Sequence, residues 1–242
     1  MNWYWYGEGG FSQPSAEKLQ QFAAASQKKA RDKGLIWEPV VIQGRTIAKS
    51  WWGQAWCRNL ERYADYSNRL GRGKRYVRTG AVVDLKIQKG SIQALVQGSR
   101  KTPYQVEVNI SPVPEEKCRS ILRRCGRRIE NLEQLLTGNF PEELKELFQE
   151  EGGLFPRPEE ISFTCSCPDW AQLCKHVAAV LYGTGARLDE QPALFFALRS
   201  IEMDRFIDVA LANRVEAMLA NAQKPSSRIL SGQDLEALFG VL

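Results

Sequence analysis

The chain has 242 residues and carries 33 lysines and arginines against 28 aspartates and glutamates, which gives a net charge of +5. Hydrophobic residues make up 43% of the chain and can build a core, and 25% charged residues argue against wholesale disorder. No apolar run reaches the about 18 residues of a membrane-spanning helix, and the N-terminus does not resemble a signal peptide. We therefore expect a cytoplasmic protein of one or two domains with no membrane association.

The first 113 residues predict helices followed by a sheet. The polar stretch from Ser15 to Lys33 predicts one helix, and Ser50 is placed to cap a second helix with Trp52 and Trp56 on its apolar side. Ahead of both, residues 1–11 are rich in tryptophan and tyrosine. These rings have two possible roles: packing on the core as a terminal strand, or stacking on unpaired bases.

Three runs between residues 83 and 110 alternate apolar and polar side chains, as strands with one buried face do. Gly90 can take the positive φ of a tight hairpin between the first two runs, and Pro112 follows the third. The pattern predicts an antiparallel meander. Its apolar positions are Val83, Leu85 and Ile87, then Ile92, Ala94 and Val96, then Tyr104, Val106, Val108 and Ile110.

Residues 114–158 predict a basic helical segment. The stretch from Glu115 to Leu136 has acidic residues at its start, which suits the helix dipole, and carries Cys118 and Cys125 on its apolar side. We interpret these two thiols, and Cys57, as core residues, because no histidine or second thiol pair accompanies them.

Basic residues concentrate in the stretch from Asn68 to Arg78 and on one side of the helix that begins at Glu115. Arginine suits bidentate phosphate contacts, whereas a solvated face is the usual role of a charge run. The candidates for contact with DNA or RNA are Arg72, Lys74, Arg75, Arg78, Arg119, Arg123, Arg124, Arg127 and Arg128.

Residues 159–184 hold three of the six cysteines and the single histidine. Cys165 and Cys167 can face one ion from an extended strand, and Cys174 can reach the same ion as His176 if it lies at the start of a helix. Three thiolates and one imidazole form a closed, tetrahedral set for structural zinc. Buried thiols and a disulfide are weaker alternatives. The helix is predicted to end at Gly183.

The pattern Cys165-x-Cys167, a short spacer and Cys174-x-His176 resembles the CxC…CxH pattern of the SWIM zinc finger. The segments 51–56, 68–85 and 192–199 also look like those of small bacterial proteins that contain this finger. The resemblance implies that all four residues bind Zn²⁺. It also implies a companion role beside Swi/Snf-type helicases.

Residues 185–242 predict a helical C-terminal region with helices at 189–200, 204–222 and 233–238. A Swi/Snf-type ATPase or another protein partner could hold such amphipathic helices. Phe195, Phe196 and Phe206 are the predicted anchors if they are exposed, and core residues if they are not.

The sequence therefore predicts an α+β protein with an antiparallel β-meander, a central ββα-like zinc finger and a helical C-terminal tail. We expect no catalysis, because four protein ligands close the zinc site to substrate water. The expected function is a zinc-dependent adaptor that binds nucleic acid and recruits a protein. The alternatives are a module that binds only proteins and a Cys/His enzyme.

Overall fold

The computed structural model describes residues 14–63, 67–128, 145–150, 153–169, 171 and 173–222. Its helices and strands, in chain order, are α1 (Ala16–Asp32), α2 (Trp51–Leu60), a 3₁₀ turn (Glu61–Tyr63), α3 (Ser67–Arg78), β1 (Val82–Gln88), β2 (Ser91–Val96), β3 (Tyr104–Ile110), α4 (Glu115–Arg128), α5 (Lys145–Gln149), a 3₁₀ turn (Pro158–Glu160), β4 (Ile161–Cys165), α6 (Lys175–Glu190), α7 (Leu194–Leu198) and α8 (Met203–Ala222). The predicted α+β class is confirmed.

The four strands form one antiparallel sheet in the order β1-β2-β3-β4. The predicted meander is confirmed as β1 to β3, with every second residue of β3 buried. β4 then adds to β3, pairing Ile161 with Ile110 and Cys165 with Val106. The strand of the zinc finger is therefore the outer strand of the same sheet, and the sheet fixes its position.

Serine side chains cap the first two helices, at Ser50 as predicted and at Ser15, where only the helix was predicted. Ser15 Oγ accepts a hydrogen bond from the backbone N–H of Lys18 at 3.2 Å, and Ser50 Oγ accepts one from Gly53 at 3.0 Å. Each bond satisfies an amide that the first turn of a helix leaves unpaired. Ser50 also donates to the carboxylate of Asp189, which ties the start of α2 to the end of α6.

α6 is the central helix of the fold, and 11 of its 16 residues are buried. It continues through Gly183 to Glu190, so the predicted stop at Gly183 is wrong. The glycines permit close packing instead. A Cβ at Gly185 would lie 2.7 Å from Cys57 Sγ, and one at Gly183 would lie 3.2 Å from Val40 Cγ2. Burial outweighs the weak helix propensity of glycine here.

The predicted helix at 189–200 is confirmed only in part, because α6 runs on to Glu190 and the short α7 covers Leu194–Leu198, with a break between them. Pro192 lacks a backbone N–H and disfavours helical backbone in the residue before it, which separates the two helices. Both then pack into the core, where Phe195, Phe196 and Leu198 of α7 are buried.

α4 and α8 pack against each other. Arg205 of α8 forms an ion pair with Glu115 at the start of α4, so the two helices begin side by side. The predicted helix at 204–222 is confirmed, and the predicted helix from Glu115 is confirmed as far as Arg128. Its remainder, the aromatic segment 1–11 and the predicted helix at 233–238 lie outside the described residues.

None of the helices in the described ranges is long and apolar enough to cross a membrane. The division of the chain at residues 113, 158 and 184 stays a prediction.

Candidate metal centre

The four predicted ligands lie where the sheet meets the central helix. Cys165 is the last residue of β4, and Cys167 follows two positions later. Cys174 is the N-cap of α6, and its Sγ accepts a hydrogen bond from Val177 N–H at 3.5 Å. His176 lies in the first turn of that helix. This confirms the prediction that Cys174 precedes the helix. If both residues lay inside the helix, a separation of two positions would point the side chains of Cys174 and His176 to opposite sides.

The ligand atoms of these four residues all lie within 4.8 Å of one another. His176 Nδ1 is 3.9 Å from Cys165 Sγ and 4.0 Å from Cys174 Sγ. In a tetrahedral zinc site, bond lengths near 2.3 Å for sulfur and 2.0 Å for nitrogen place such atoms about 3.5 to 3.8 Å apart. Small movements of the side chains therefore suffice for coordination, and the donor set fits Zn²⁺.

His176 is buried and is held between two tyrosine rings. The ring of Tyr104 stacks on the imidazole with centroids 4.3 Å apart, and the ring of Tyr76 meets it edge-on at 5.4 Å. Burial lowers the pKa of His176, which favours the neutral imidazole that binds metal. The fixed ring directs Nδ1 at the three sulfurs.

The three thiols differ in acidity because each has different hydrogen-bond partners and a different degree of burial. Hydrogen bonds from the Cys165 thiol, from His176 and from the amide of Val177 lower the pKa of Cys174 to about 4, although burial opposes them. The same bond to Cys174, together with burial, raises the pKa of Cys165. Burial also raises the pKa of Cys167. Cys174 is therefore the thiol of the cluster that loses its proton most readily to a cation.

The loop between Cys165 and Cys174 is held by contacts to β3 and α3. Ser166 donates its backbone N–H to Gln105 O at 3.0 Å and accepts from the Gln105 N–H through Oγ at 2.9 Å. Asp169 forms an ion pair of 3.1 Å with Arg69 of α3. These contacts restrict the loop that carries Cys167, so the ligand cluster is supported on both sides.

The basic candidates on α3 make contacts within the protein. Lys74 Nζ lies 3.4 Å from Glu61 and 5.3 Å from the ring centroid of Tyr182. Arg75 donates to Pro14 O, and Arg78 donates to Arg45 O at 3.1 Å. Arg72 is half-buried, and its charge acts on Tyr76 beside the metal ligands.

The basic candidates on α4 lie on a different helix pair, since α4 packs on α8 and α3 packs on α6. Arg119 lies 3.5 Å from Glu115, and Arg124 lies 2.7 Å from Glu150. Arg123 is exposed and donates to Arg119 O at 3.4 Å. The side chains of Arg127 and Arg128 lie outside the described part of the chain. A role of either set in binding nucleic acid stays a prediction.

Two of the predicted docking anchors are core residues. Phe195 and Phe196 are fully buried, so the alternative that they complete this protein's own core holds for both, and they are not anchors for a partner protein. The side chain of Phe206 lies outside the described residues. Cys118 is buried and Cys57 packs on the core, whereas the Cys125 side chain is not among those described.

Several residues of the centre were not identified from sequence. Tyr104 and Tyr76 clamp the imidazole, and Arg69 holds the loop through Asp169. The alternation of β3 did place Tyr104 on the buried face, which was the available signal. That its buried neighbour would be His176 depends on the pairing of β4 with β3, about 60 residues later in the chain, which local patterns do not encode.

Comparison with known proteins agrees with this geometry. Residues 164–182 match the family model of the SWIM zinc finger. The chain therefore carries a SWIM zinc finger, and Zn²⁺ is its cofactor. The chain is also 35% identical over 172 residues to the uncharacterized protein Rv2102 of Mycobacterium tuberculosis. That match covers 70% of this chain and 62% of the relative, which is less than two thirds of the relative's length. No solved structure matches the chain.

Proposed function

We propose that this protein is a non-catalytic, zinc-dependent adaptor that binds nucleic acid and recruits a protein partner. The observation that carries the proposal is the position of the Cys₃His cluster at the junction of β4 and α6. Metal binding there connects the sheet to the central helix, as expected of a structural site that contributes its binding energy to folding.

The proposed absence of catalysis rests on the coordination number that zinc prefers. A catalytic zinc keeps a position for water or substrate beside three protein ligands. Here Cys165, Cys167, Cys174 and His176 supply four, and Cys174 and His176 are buried. This argument disfavours the Cys/His enzyme. An assay of the zinc-loaded protein by X-ray absorption tests it, because a water oxygen in the first coordination shell would contradict a closed site.

Nucleic-acid binding is supported by the net charge of +5 and by the basic stretches on α3 and α4. Contacts of this type are electrostatic, so the logarithm of the binding constant falls by about 0.9 per phosphate contact for each tenfold rise in salt. Fluorescence anisotropy with labelled duplex DNA, single-stranded DNA and RNA between 50 and 200 mM salt, about the range over which such contacts weaken most, provides the test. If the protein binds none of the three at the lowest salt concentration, nucleic-acid binding is wrong and the alternative of a module that binds only proteins holds.

Protein recruitment is supported by an exposed apolar stripe on α8. Leu211, Val215, Met218 and Leu219 are each more than half exposed, and their spacing places them on one side of the helix. Asp208 and Glu216 are also exposed on α8. The stripe fits an amphipathic helix of a partner protein that has basic residues beside its apolar face. Because the chain carries a SWIM finger, we propose that this partner is a Swi/Snf-type ATPase of the same cell.

The recruitment test is a native pull-down with the full chain. Val215→Asp combined with Leu219→Asp should abolish recovery of the ATPase, while Ala220→Asp, at an exposed position of the same helix that is turned away from the stripe, should leave it unchanged. If the wild-type chain recovers no ATPase, the companion role is wrong. If the double variant recovers as much ATPase as the wild type, the docking surface lies elsewhere.

A further inference from the structure

The loop between β2 and β3, residues 97–103, packs against the zinc centre. Gln97 is buried at its base and donates through Nε2 to Gly98 O at 3.1 Å and Arg100 O at 2.6 Å. The hydroxyl of Ser26 in α1 donates to Gln97 Oε1 at 2.6 Å. These bonds hold the backbone of the loop in one conformation.

Gly98 brings this loop directly onto the histidine ligand. A Cβ at this position would lie 2.6 Å from the ring of Tyr104 and 3.4 Å from His176 Nε2. Only glycine permits this approach, because 2.6 Å is far below the optimal separation of two carbon atoms, which is about 3.5 to 4.0 Å. The loop therefore covers the edge of the imidazole, and its position depends on the position of His176.

The same loop presents two exposed cations beside the zinc centre. The guanidinium of Arg100 lies 5.3 Å from the ring centroid of Tyr104, on which His176 also stacks. Lys101 is exposed next to it, and the half-exposed Lys175 lies between the ligands Cys174 and His176. Within the described part of the chain, no ion pair involves any of these three side chains.

The negative charge of the zinc centre is too small to balance these three cations. Three thiolates and one Zn²⁺ leave a net charge of about −1 on a closed Cys₃His site. The single acid of the finger loop, Asp169, is paired with Arg69. Arg100, Lys101 and Lys175 together carry three positive charges, which outnumber the single negative charge of the closed centre.

We propose that Arg100 and Lys101, with Lys175 at the start of α6, form a phosphate-binding surface for the nucleic-acid backbone, and that the zinc centre holds this surface in place. The inference rests on the proposed nucleic-acid function and names the residues that would carry it. None of the three belongs to the basic stretches recognised in the sequence. Arg100 is preorganised by its ring contact and by the fixed loop, which reduces the entropy lost on binding.

The described residues of this surface fit phosphates better than bases. Stacking on bases requires exposed aromatic rings, whereas Tyr104 and Tyr76 are 7% and 2% exposed and are occupied by His176. Contacts to phosphates carry no sequence information. Binding through this surface should therefore be insensitive to base sequence.

The test is fluorescence anisotropy of the zinc-loaded full chain with a labelled DNA duplex and with an RNA strand of the same length. The test variant is Arg100→Gln combined with Lys101→Gln. The matched control is Arg45→Gln combined with Lys49→Gln, which removes two charges from exposed residues near the other end of α6. Along that helix the two surfaces are separated by about 20 Å.

We expect the test variant to lose about tenfold in affinity at low salt and to reduce the salt slope by about two, one per lost phosphate contact. The control should lower the affinity by no more than about threefold, which is about the effect of net charge alone. The single variant Arg100→Lys should retain most of the affinity that the single variant Arg100→Gln loses. Zinc content and melting temperature of each variant show that the fold is retained.

Equal losses in the test and control variants overturn the proposal, because they report net charge only. Wild-type affinity in the test variant also overturns it, and nucleic-acid binding then belongs to α3 or α4. If the wild-type chain binds neither DNA nor RNA, the nucleic-acid function itself is wrong.

A second arm tests the dependence on zinc. Removing the metal with a chelator should weaken binding by wild type to the level of the test variant and should leave the test variant little changed. Equal weakening of both would show that zinc acts through the whole fold and would overturn the local role of the centre.

Discussion

The close packing of α3 on α6 predicts that the same substitution, glycine to alanine, has opposite effects at two positions of α3. Gly71 and Gly73 lie in the same helix, two residues apart. A Cβ at Gly71 would meet nothing within 4 Å, because this residue is exposed. A Cβ at Gly73 would lie 2.5 Å from Ala178 Cβ and 3.0 Å from the backbone of Ala178 and Ala179 in α6.

Both substitutions to alanine gain helix propensity, worth about 0.5 to 1 kcal/mol. Gly71→Ala keeps this gain and should raise the melting temperature by about 2 °C. Gly73→Ala also overpacks two helix backbones, which cannot move aside as a side chain can, and overpacking costs about 1 to 3 kcal/mol. We expect a net loss of about 1 to 2 kcal/mol and a melting temperature lower by about 4 °C.

Differential scanning calorimetry of the zinc-loaded wild type and the two variants measures this difference. Because α3 also carries Tyr76 against His176, Gly73→Ala should release zinc to a chelator faster than Gly71→Ala does. Two variants that are both more stable than the wild type would refute the close packing of α3 on α6. Two variants that are both less stable would show that helix propensity does not apply at Gly71.

Three further predictions concern the zinc ligands, a buried ion pair and a core thiol. Cys174→Ser and His176→Ala should each reduce zinc below one per chain by elemental analysis, whereas Cys57→Ser should retain it. Arg199 is fully buried and lies 2.9 Å from Glu160 Oε1, so Arg199→Met should cost about 3 kcal/mol in urea unfolding at neutral pH. Burial raises the pKa of Glu160, but hydrogen bonds from Arg199 and the Arg157 amide outweigh it and lower the pKa. The stability from this pair should therefore be present above the ordinary carboxyl pKa and be lost as pH falls through the folded value, a dependence that Arg199→Met should flatten. Burial, then the nearby Asp189, raises the pKa of Cys57 to about 12, so alkylation at pH 8, followed by mass spectrometry, should modify Cys57 far more slowly than an ordinary exposed cysteine.

The residues of the metal centre and the strands of the meander could be predicted because both are local patterns. Two pairs of ligands, each with one residue between them, define the zinc site, and alternation over five to seven residues defines each strand. The end of α6 could not be predicted in the same way. Gly183 and Gly185 look like helix stops in isolation, but their role depends on Val40 and Cys57, which are more than 100 residues away.

The same distinction explains why function is harder to predict than the metal. The ligand set is determined by the chemistry of three thiols and one imidazole, which is written in twelve consecutive residues. The basic surface proposed beside it combines a loop at 97–103 with the start of α6, and neither part has a notable charge density by itself. They become one surface only because β4 pairs with β3 and brings His176 against Tyr104. Zinc strengthens that same junction, so loss of the metal should remove the binding surface along with the local fold.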